Sequence, residues 1–149
     1  MAFSLSAQAQ TNLVANPDFE DGHAKWALWS DAAIVKEDAL AGFYSLRIGP
    51  GPGGADQVLE FIPVIGALYV LDAAIRFTEA QEIGALFIEC LDATGKSISK
   101  NSVPLSSAMT IPVSISIMVL AGTKKLRIWA WKDLGPGYLF VDNIRVLKQ

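Results

Sequence analysis

The fold is decided by Asn16-Pro17-Asp18-Phe19-Glu20-Asp21-Gly22 near the start of the chain and by Tyr138-Leu139-Phe140-Val141-Asp142-Asn143-Ile144-Arg145-Val146 near its end. Each stretch places carboxylates beside a predicted strand, just after strand 12–15 in the first case and inside strand 138–147 in the second. Taken alone, these acids are compatible with solvated turns and with the end of a strand pair. The spacing of the segments between them predicts the architecture.

Short β-type segments recur along the whole chain, with turn residues such as those of Asp92-Ala93-Thr94-Gly95 between them. This pattern predicts an all-β sandwich or barrel. The Gly/Pro run at 49–54 predicts a loop at the sandwich edge. Segment 31–40 is compatible with a helix or with a strand and turn, and its Ile34-Val35 pair favours the strand. The predicted strands are 12–15, 25–29, 33–37, 43–49, 56–62, 67–77, 84–91, 96–99, 111–119, 124–132 and 138–147.

Length, composition and charge argue against several classes of function. The 149 residues have the length of one ordinary domain. The 12 basic and 15 acidic residues form no block of like charge, which argues against a nucleic-acid partner. No apolar run reaches the roughly 20 residues of a membrane helix, so we expect no membrane partner. The single Cys90 and the single His23 cannot assemble a zinc site or a Cys-His nucleophile pair, and Cys90 is predicted to be a small buried hydrophobe.

Residues 1–11 predict a flexible N-terminal arm or the remnant of a secretion signal. This segment contains Ala7-Gln8-Ala9, a small-x-small pattern similar to a signal-peptidase site, without the basic start and full apolar core of a signal peptide. Residues 12–149 form the predicted β-sandwich domain. We expect a secreted protein, extracellular or periplasmic.

The segment Lys125-Leu126-Arg127-Ile128-Trp129-Ala130-Trp131-Lys132 predicts a ligand-binding face. Alternate side chains of a strand point to opposite faces, so Leu126, Ile128 and Ala130 form a core set. Arg127, Trp129 and Trp131 then lie on the other face. Indole rings stack on the C–H faces of sugars, and Arg binds hydroxyls. The alternative is that a loop covers one or both tryptophans as part of a second core.

The earlier tryptophans lie three residues apart and therefore on opposite faces of an extended segment. Trp26 follows the Gly22 turn and is predicted to be structural, which makes Trp29 the ligand-facing ring. The same alternation sends Arg47 outward and makes it a polar ligand-binding candidate. Other outward polar residues are equally compatible with cross-strand ion pairs on a solvated sheet; they are Asp72, Arg76, Glu89 and Arg127.

The motifs follow one another in the order Asn12 to Gly22, Trp26 to Trp29, Ala41 to Ile48, Lys125 to Ile128 and Tyr138 to Ile144. This series resembles the carbohydrate-binding modules of families four, nine, sixteen and twenty-two, which are galactose-binding-domain-like jelly rolls. The similarity extends from about residue 12 to residue 147 and rests on the order and spacing of the motifs.

The resemblance implies a two-sheet antiparallel jelly roll, a structural calcium ion that joins the termini, and a sugar bound on the concave sheet or at a loop edge. Glu20 and Asp142 match the acidic positions of the family motifs. Asp18 or nearby backbone oxygens complete the six to eight oxygen ligands that calcium favours. One departure is the lack of an aromatic residue before Pro112, which implies a shallower sugar platform.

We therefore predict a lectin-like, non-catalytic carbohydrate-binding module that binds a polysaccharide or oligosaccharide by stacking on Trp29, Trp129 and Trp131. Such modules are expected to be appended to or associated with a glycan-active enzyme. The chain has no nucleophile elbow, phosphate loop or dinucleotide fingerprint, and nothing ties two carboxylates to a glycosidase cleft. The alternative is a structural or adhesive domain of the same fold that contacts protein partners through its tryptophans.

Overall fold

The computed structural model describes residues 10–36 and 39–149. The described residues form strands and loops, which confirms the prediction of an all-β, two-sheet antiparallel sandwich of the jelly-roll type. This part of the chain contains no helix long and apolar enough to span a membrane. The eight strands are β1 (Ala27–Val35), β2 (Ser45–Val58), β3 (Leu68–Phe77), β4 (Gly84–Leu91), β5 (Ser97–Leu105), β6 (Ile111–Met118), β7 (Lys125–Lys132) and β8 (Leu139–Lys148).

The strands form two layers that share β1 and β2. The front sheet consists of β5, β4, β7, residues 53–58 of β2 and residues 27–30 of β1. The back sheet consists of β6, β3, β8, residues 45–48 of β2 and residues 32–35 of β1. All of these pairings are antiparallel.

The Gly/Pro run at 49–54 lies inside β2, so the prediction of an edge loop there is wrong. β2 crosses between the layers in this run, because residues 46–48 pair with β8 and residues 53–58 pair with β7. The crossing needs small residues where β1 passes close by. A Cβ added at Gly53 would lie 2.8 Å from the backbone nitrogen of Asp31 in β1.

The core lies between the two sheets and follows the strand alternation. In β7 the side chains of Leu126, Ile128 and Ala130 are buried, as predicted. Trp26 and Phe19 are also buried, and their ring centroids lie 5.1 Å apart. Phe19, from the motif at 16–22, therefore belongs to the core, and Trp26 has the structural role predicted for it.

The chain termini pair in the back sheet. The backbone nitrogen of Leu13 donates to the carbonyl of Val146 over 3.0 Å, and the side-chain Nδ2 atom of Asn12 donates to the carbonyl of Ile144 over 3.1 Å. Predicted strand 12–15 is thus a short pairing segment that lies beside β8.

Several predicted strand boundaries differ from the structure. Residues 27–29 and 33–35 of the predicted segments 25–29 and 33–37 lie in one strand, β1. The predicted segments 43–49 and 56–62 likewise overlap one strand, β2, which ends at Val58. Segment 96–99 is the first part of the longer β5. The predicted end of strand 33–37 and most of the predicted N-terminal arm lie outside the described residues.

Candidate functional site

The outer face of the front sheet carries the predicted ligand-binding tryptophans. Register places Trp29 opposite Gly54, Gly54 opposite Trp131, and Trp131 opposite Ala85. Because paired residues lie on the same face of a sheet, these four form one row across four strands. Trp129 lies two residues from Trp131 and therefore on the same face. We call this surface the tryptophan face.

Trp29 and Trp131 have small neighbours on the tryptophan face. Gly54 lies between them, and a Cβ added there would overlap the six-membered ring of Trp29. The indole of Trp29 therefore lies across the backbone of β2, with 36% of the residue exposed. On its other side Trp131 faces only Ala85 in register.

Trp129 is held more tightly than the other two rings. Phe87 lies opposite it in β4, and the two rings stack with centroids 4.4 Å apart and planes within 4°. The guanidinium carbon of Arg127 lies 4.8 Å from the Trp129 ring. One face of this indole is therefore covered by protein. Sequence reasoning missed Phe87, although it alternates with the buried Leu86 and so points outward like Glu89.

A network of charged side chains lies beside the aromatic rings of the tryptophan face. The Nε atom of Arg127 donates to Oδ2 of Asp56 over 3.0 Å, and its Nη1 atom donates to Oε1 of Glu89 over 3.1 Å. Desolvation opposes the guanidinium charge, but the hydrogen bonds and charges of Asp56 and Glu89 outweigh it, so the pKa of Arg127 is raised. The remaining N–H groups and carboxylate lone pairs can bind sugar hydroxyls. Asp56 was not predicted, since only register with β7 reveals its position.

Arg47 lies away from the tryptophan face. It pairs with Phe140 in the back sheet, and its guanidinium carbon lies 4.8 Å from the ring of Tyr138. Two other outward candidates, Asp72 and Arg76, belong to β3 and so to the back sheet as well. Of the predicted ligand-binding residues, the structure brings together Trp29, Arg127, Trp129 and Trp131.

The predicted metal ligands lie where the opening motif meets β8. Oε1 of Glu20 accepts hydrogen bonds from the backbone nitrogens of Phe43 and Tyr44, at 2.8 and 3.0 Å. Oδ2 of Asp142 accepts one from the backbone nitrogen of Ala41, at 2.8 Å. Oδ1 of Asp18 accepts a long one, 3.4 Å, from the nitrogen of Glu20. Both key carboxylates thus fasten the loop before β2.

The electrostatics of this corner are unfavourable for an ionised Asp142. Burial raises the pKa of Asp142 from an ordinary 3.8 to about 6, and the charges of Asp18 and Glu20 add to the rise, against two backbone N–H donors. Within residues 10–36 and 39–149, no three His, Cys, Asp or Glu side chains are grouped closely enough to hold a metal ion. A cation here would therefore need backbone oxygens or water as further ligands, which calcium accepts.

A buried ion pair lies beneath the end of the tryptophan face. Lys132, the residue after Trp131, points inward and is fully buried, and its Nζ atom lies 2.9 Å from Oε1 of the buried Glu82. Nζ also donates to the carbonyl of Asp133 over 2.9 Å. Oε1 of Glu82 accepts from the nitrogen of Gly137 over 3.1 Å. The pair thus anchors the β7–β8 loop beside Trp131.

Solved structures share this fold. A family 16 carbohydrate-binding module has a TM-score of 0.76 and 22% identity, covering 91% of this chain and 99% of that one. The CBM22-1 xylan-binding domain from Paenibacillus barcinonensis has a TM-score of 0.70 and 14% identity, covering 96% and 97%. The CBM22-1-GH10 modules of a Clostridium thermocellum endo-1,4-beta-D-xylanase, complexed with xylohexaose, have a TM-score of 0.73 and 14% identity, covering 95% and 29%. No protein-family model and no curated protein matches the chain.

These likenesses define the class of fold, the jelly-roll β-sandwich found in carbohydrate-binding modules. The resemblance read from the end motifs is thereby confirmed at the level of the fold.

Proposed function

We propose that the protein is a non-catalytic carbohydrate-binding module that binds a polysaccharide or oligosaccharide on its tryptophan face. The observation that carries the proposal is the row formed by Trp29, Gly54, Trp131 and Ala85, in which two indoles are separated by a residue without a side chain. Such a row offers flat apolar surface on the outer face of the front sheet. Exposed aromatic surface of this kind is typical of binding sites.

The neighbouring charges supply orientation. Arg127, Asp56 and Glu89 are held in a fixed arrangement by their mutual hydrogen bonds. Preorganised donors and acceptors lose little side-chain entropy when they bind hydroxyl groups. We assign attraction mainly to the rings and selectivity mainly to this network. Arg47 is not part of the proposed site, because it lies on the back sheet.

We further propose a structural calcium ion near Glu20 and Asp142. The support is chemical: carboxylates from opposite ends of the chain lie at one corner, where burial and the nearby charges of Asp18 and Glu20 raise the pKa of Asp142. A divalent cation bound there stabilises the ionised form. Its role is to fasten the opening motif and the loop before β2 onto β8.

By analogy with the xylanase that carries a domain of this fold beside its GH10 module, we propose that this protein is appended to or associated with a glycan-active enzyme. A secreted location, extracellular or periplasmic, follows from that proposal, because polysaccharide substrates lie outside the cell.

The binding proposal is tested with Trp29→Ala and Trp131→Ala. Each is expected to lower the affinity for the best glycan on an array by about tenfold, the equivalent of roughly 1.4 kcal/mol. Phe43→Ala is the matched control, since Phe43 is 69% exposed but lies outside the tryptophan face. Calorimetric titration measures all three variants. Unchanged affinity in both tryptophan variants would remove the proposed site.

A second candidate is a structural or adhesive domain that contacts a protein partner. It is favoured by exposed apolar residues around the β2–β3 loop, where Leu68 pairs with Met118 and Ile65 lies nearby in sequence, with exposures of 38%, 55% and 53%. This candidate predicts concentration-dependent association and no response to any glycan. Analytical ultracentrifugation beside the glycan array separates the two functions.

A further inference from the structure

A cavity extends the tryptophan face beyond Arg127. Its volume is about 510 Å³, and it is lined by Val58, Lys124, Lys125 and the turn at 92–95. Val58 lies opposite Arg127 in register, and Lys125 precedes Arg127 by two residues on β7. Both therefore share the face of the tryptophans. The cavity is the next section of the same surface.

The cavity has an excess of unpaired positive charge. Within residues 10–36 and 39–149, neither Lys124 nor Lys125 forms an ion pair, and both are exposed. The one carboxylate of the lining, Asp92, is engaged by its own turn. Its Oδ1 atom accepts from the hydroxyl and the nitrogen of Thr94 and from the nitrogen of Lys96, at 2.7, 2.8 and 2.9 Å.

A third lysine lies beside the rings. Lys100 is opposite Glu89 in register, but Glu89 is paired with Arg127. The Nζ atom of Lys100 instead lies 5.9 Å from the Phe87 ring and 6.0 Å from the Trp129 ring, with no ion pair among the described residues. A sugar that touches this aromatic pair would therefore meet an ammonium group.

The two parts of the surface are within reach of one glycan chain. Lys125 and Trp131 are six residues apart on β7, which corresponds to about 20 Å at roughly 3.3 Å per residue. An oligosaccharide can span this distance, whereas a single sugar cannot. Lysine ammonium groups bind anionic groups as compact point charges.

We propose that the cavity binds an anionic sugar unit through Lys124 and Lys125, so that the tryptophan face prefers acidic polysaccharides to neutral ones. This inference rests on the proposed carbohydrate-binding function. The shared chemistry is an anionic substituent on the sugar, either a carboxylate or a sulfate, and Lys100 adds to the attraction beside the rings.

The test compares matched ligands on the full chain. Polygalacturonate, alginate and glucuronoxylan are each titrated beside their carboxyl-reduced forms, and carrageenan is titrated beside its desulfated form. We expect at least one acidic form to bind several-fold to about tenfold more tightly than its neutral partner at low salt. The preference should shrink as salt is added, because exposed charges are screened.

The lysines are tested by the double variant Lys124→Gln/Lys125→Gln. It should remove most of the preference by weakening the binding of the acidic form, and Lys100 accounts for the remainder. The control is Lys36→Gln/Lys148→Gln, which removes the same net charge from exposed positions off the tryptophan face and should keep the preference.

Three outcomes would overturn the inference. Equal affinity for every acidic and neutral pair shows that no anionic subsite exists, and a preference that Lys124→Gln/Lys125→Gln leaves undiminished shows that the subsite lies elsewhere. Both leave the proposed function standing. If neither acidic nor neutral glycans bind, the proposed function itself fails and this inference fails with it.

Discussion

Tryptophan residues serve two different purposes in this protein, and their surroundings distinguish them. Trp26 is buried, packs on Phe19, and donates from Nε1 to the carbonyl of Asn16 over 2.9 Å. Trp131 lies on a sheet face between Gly54 and Ala85. The same side chain therefore stabilises the core in one place and is partly exposed on the sheet surface in the other.

This difference predicts unequal costs of truncation. Trp26→Ala should lower the free energy of unfolding by about 3 to 5 kcal/mol, since it opens a cavity in the core and removes the hydrogen bond to the half-buried carbonyl of Asn16. Trp131→Ala should cost about 1 kcal/mol or less, because it removes a partly exposed ring. Urea denaturation measures both values. Iodide quenching of single-tryptophan variants checks the exposure, and equal protection of the two indoles would contradict the assignment.

At the scale of the element, β7 combines the two surfaces of the front sheet. Its odd-numbered residues from 125 to 131 point outward to the tryptophan face, and its even-numbered residues from 126 to 132 point into the core. Lys132 continues the inward set and is therefore buried with its charge, which Glu82 compensates at 2.9 Å. The strand thus ends on a buried ion pair instead of an apolar residue.

Removing one partner of this pair should be more harmful than removing both. Lys132→Met is expected to cost about 3 to 5 kcal/mol, because Glu82 is left as an uncompensated buried charge. Lys132→Met/Glu82→Met should cost clearly less than the single variant. The control Lys125→Met, on the exposed face of the same strand, should change stability by no more than about 0.5 kcal/mol. A double variant as unstable as Lys132→Met would show that the pair is needed for more than mutual compensation.

At the scale of the whole molecule, the corner formed by Glu20 and Asp142 joins segments that are far apart in sequence. Glu20 follows the first pairing segment, Asp142 lies in the last strand, and each accepts backbone hydrogen bonds from the loop at 41–44. Contacts of this kind couple the stability of the loop to that of the sandwich. The proposed calcium ion would strengthen this coupling by fastening the loop onto β8.

The raised pKa of Asp142 predicts that the stability of the calcium-free protein depends on pH. Its pKa is raised from an ordinary 3.8 to about 6 by burial and by nearby Asp18 and Glu20, so between these values the folded state binds more protons than the unfolded state. The free energy of unfolding should therefore fall as pH rises from about 4 to about 6, by on the order of 3 kcal/mol. Asp142→Asn should remove this fall, whereas Asp21→Asn, an exposed neighbour, should not. Thermal melts in excess chelator across this range give the measurement.

Calcium should then raise the melting temperature at neutral pH, because a ligand that binds only the folded state stabilises it by mass action. Asp142→Asn should abolish that rise, and Asp21→Asn should preserve it. An identical melting curve with calcium and with chelator, at pH 7, would eliminate the metal site and leave the binding proposal intact.

The amino-acid sequence by itself determined the fold class, the burial of Trp26, and the shared face of Arg127, Trp129 and Trp131. These properties follow from the two-residue repeat of a strand, which is local and can be read from neighbouring residues. Only the tertiary structure decided that Phe87 and Asp56 belong to that face and that Arg47 does not. Strand register joins residues distant along the chain, and it is set by how the whole sheet packs.

The same reason explains the crossing of β2 and the burial of Lys132. The Gly/Pro run at 49–54 has the composition of a loop, yet β1, β7 and β8 supply the partners that keep it in the sheets. Lysine is usually a surface residue, yet Glu82 and the β7–β8 loop surround the ammonium group of Lys132. In both cases contacts with residues far away in sequence outweigh the local structural preference, because these contacts form only when the two sheets pack together.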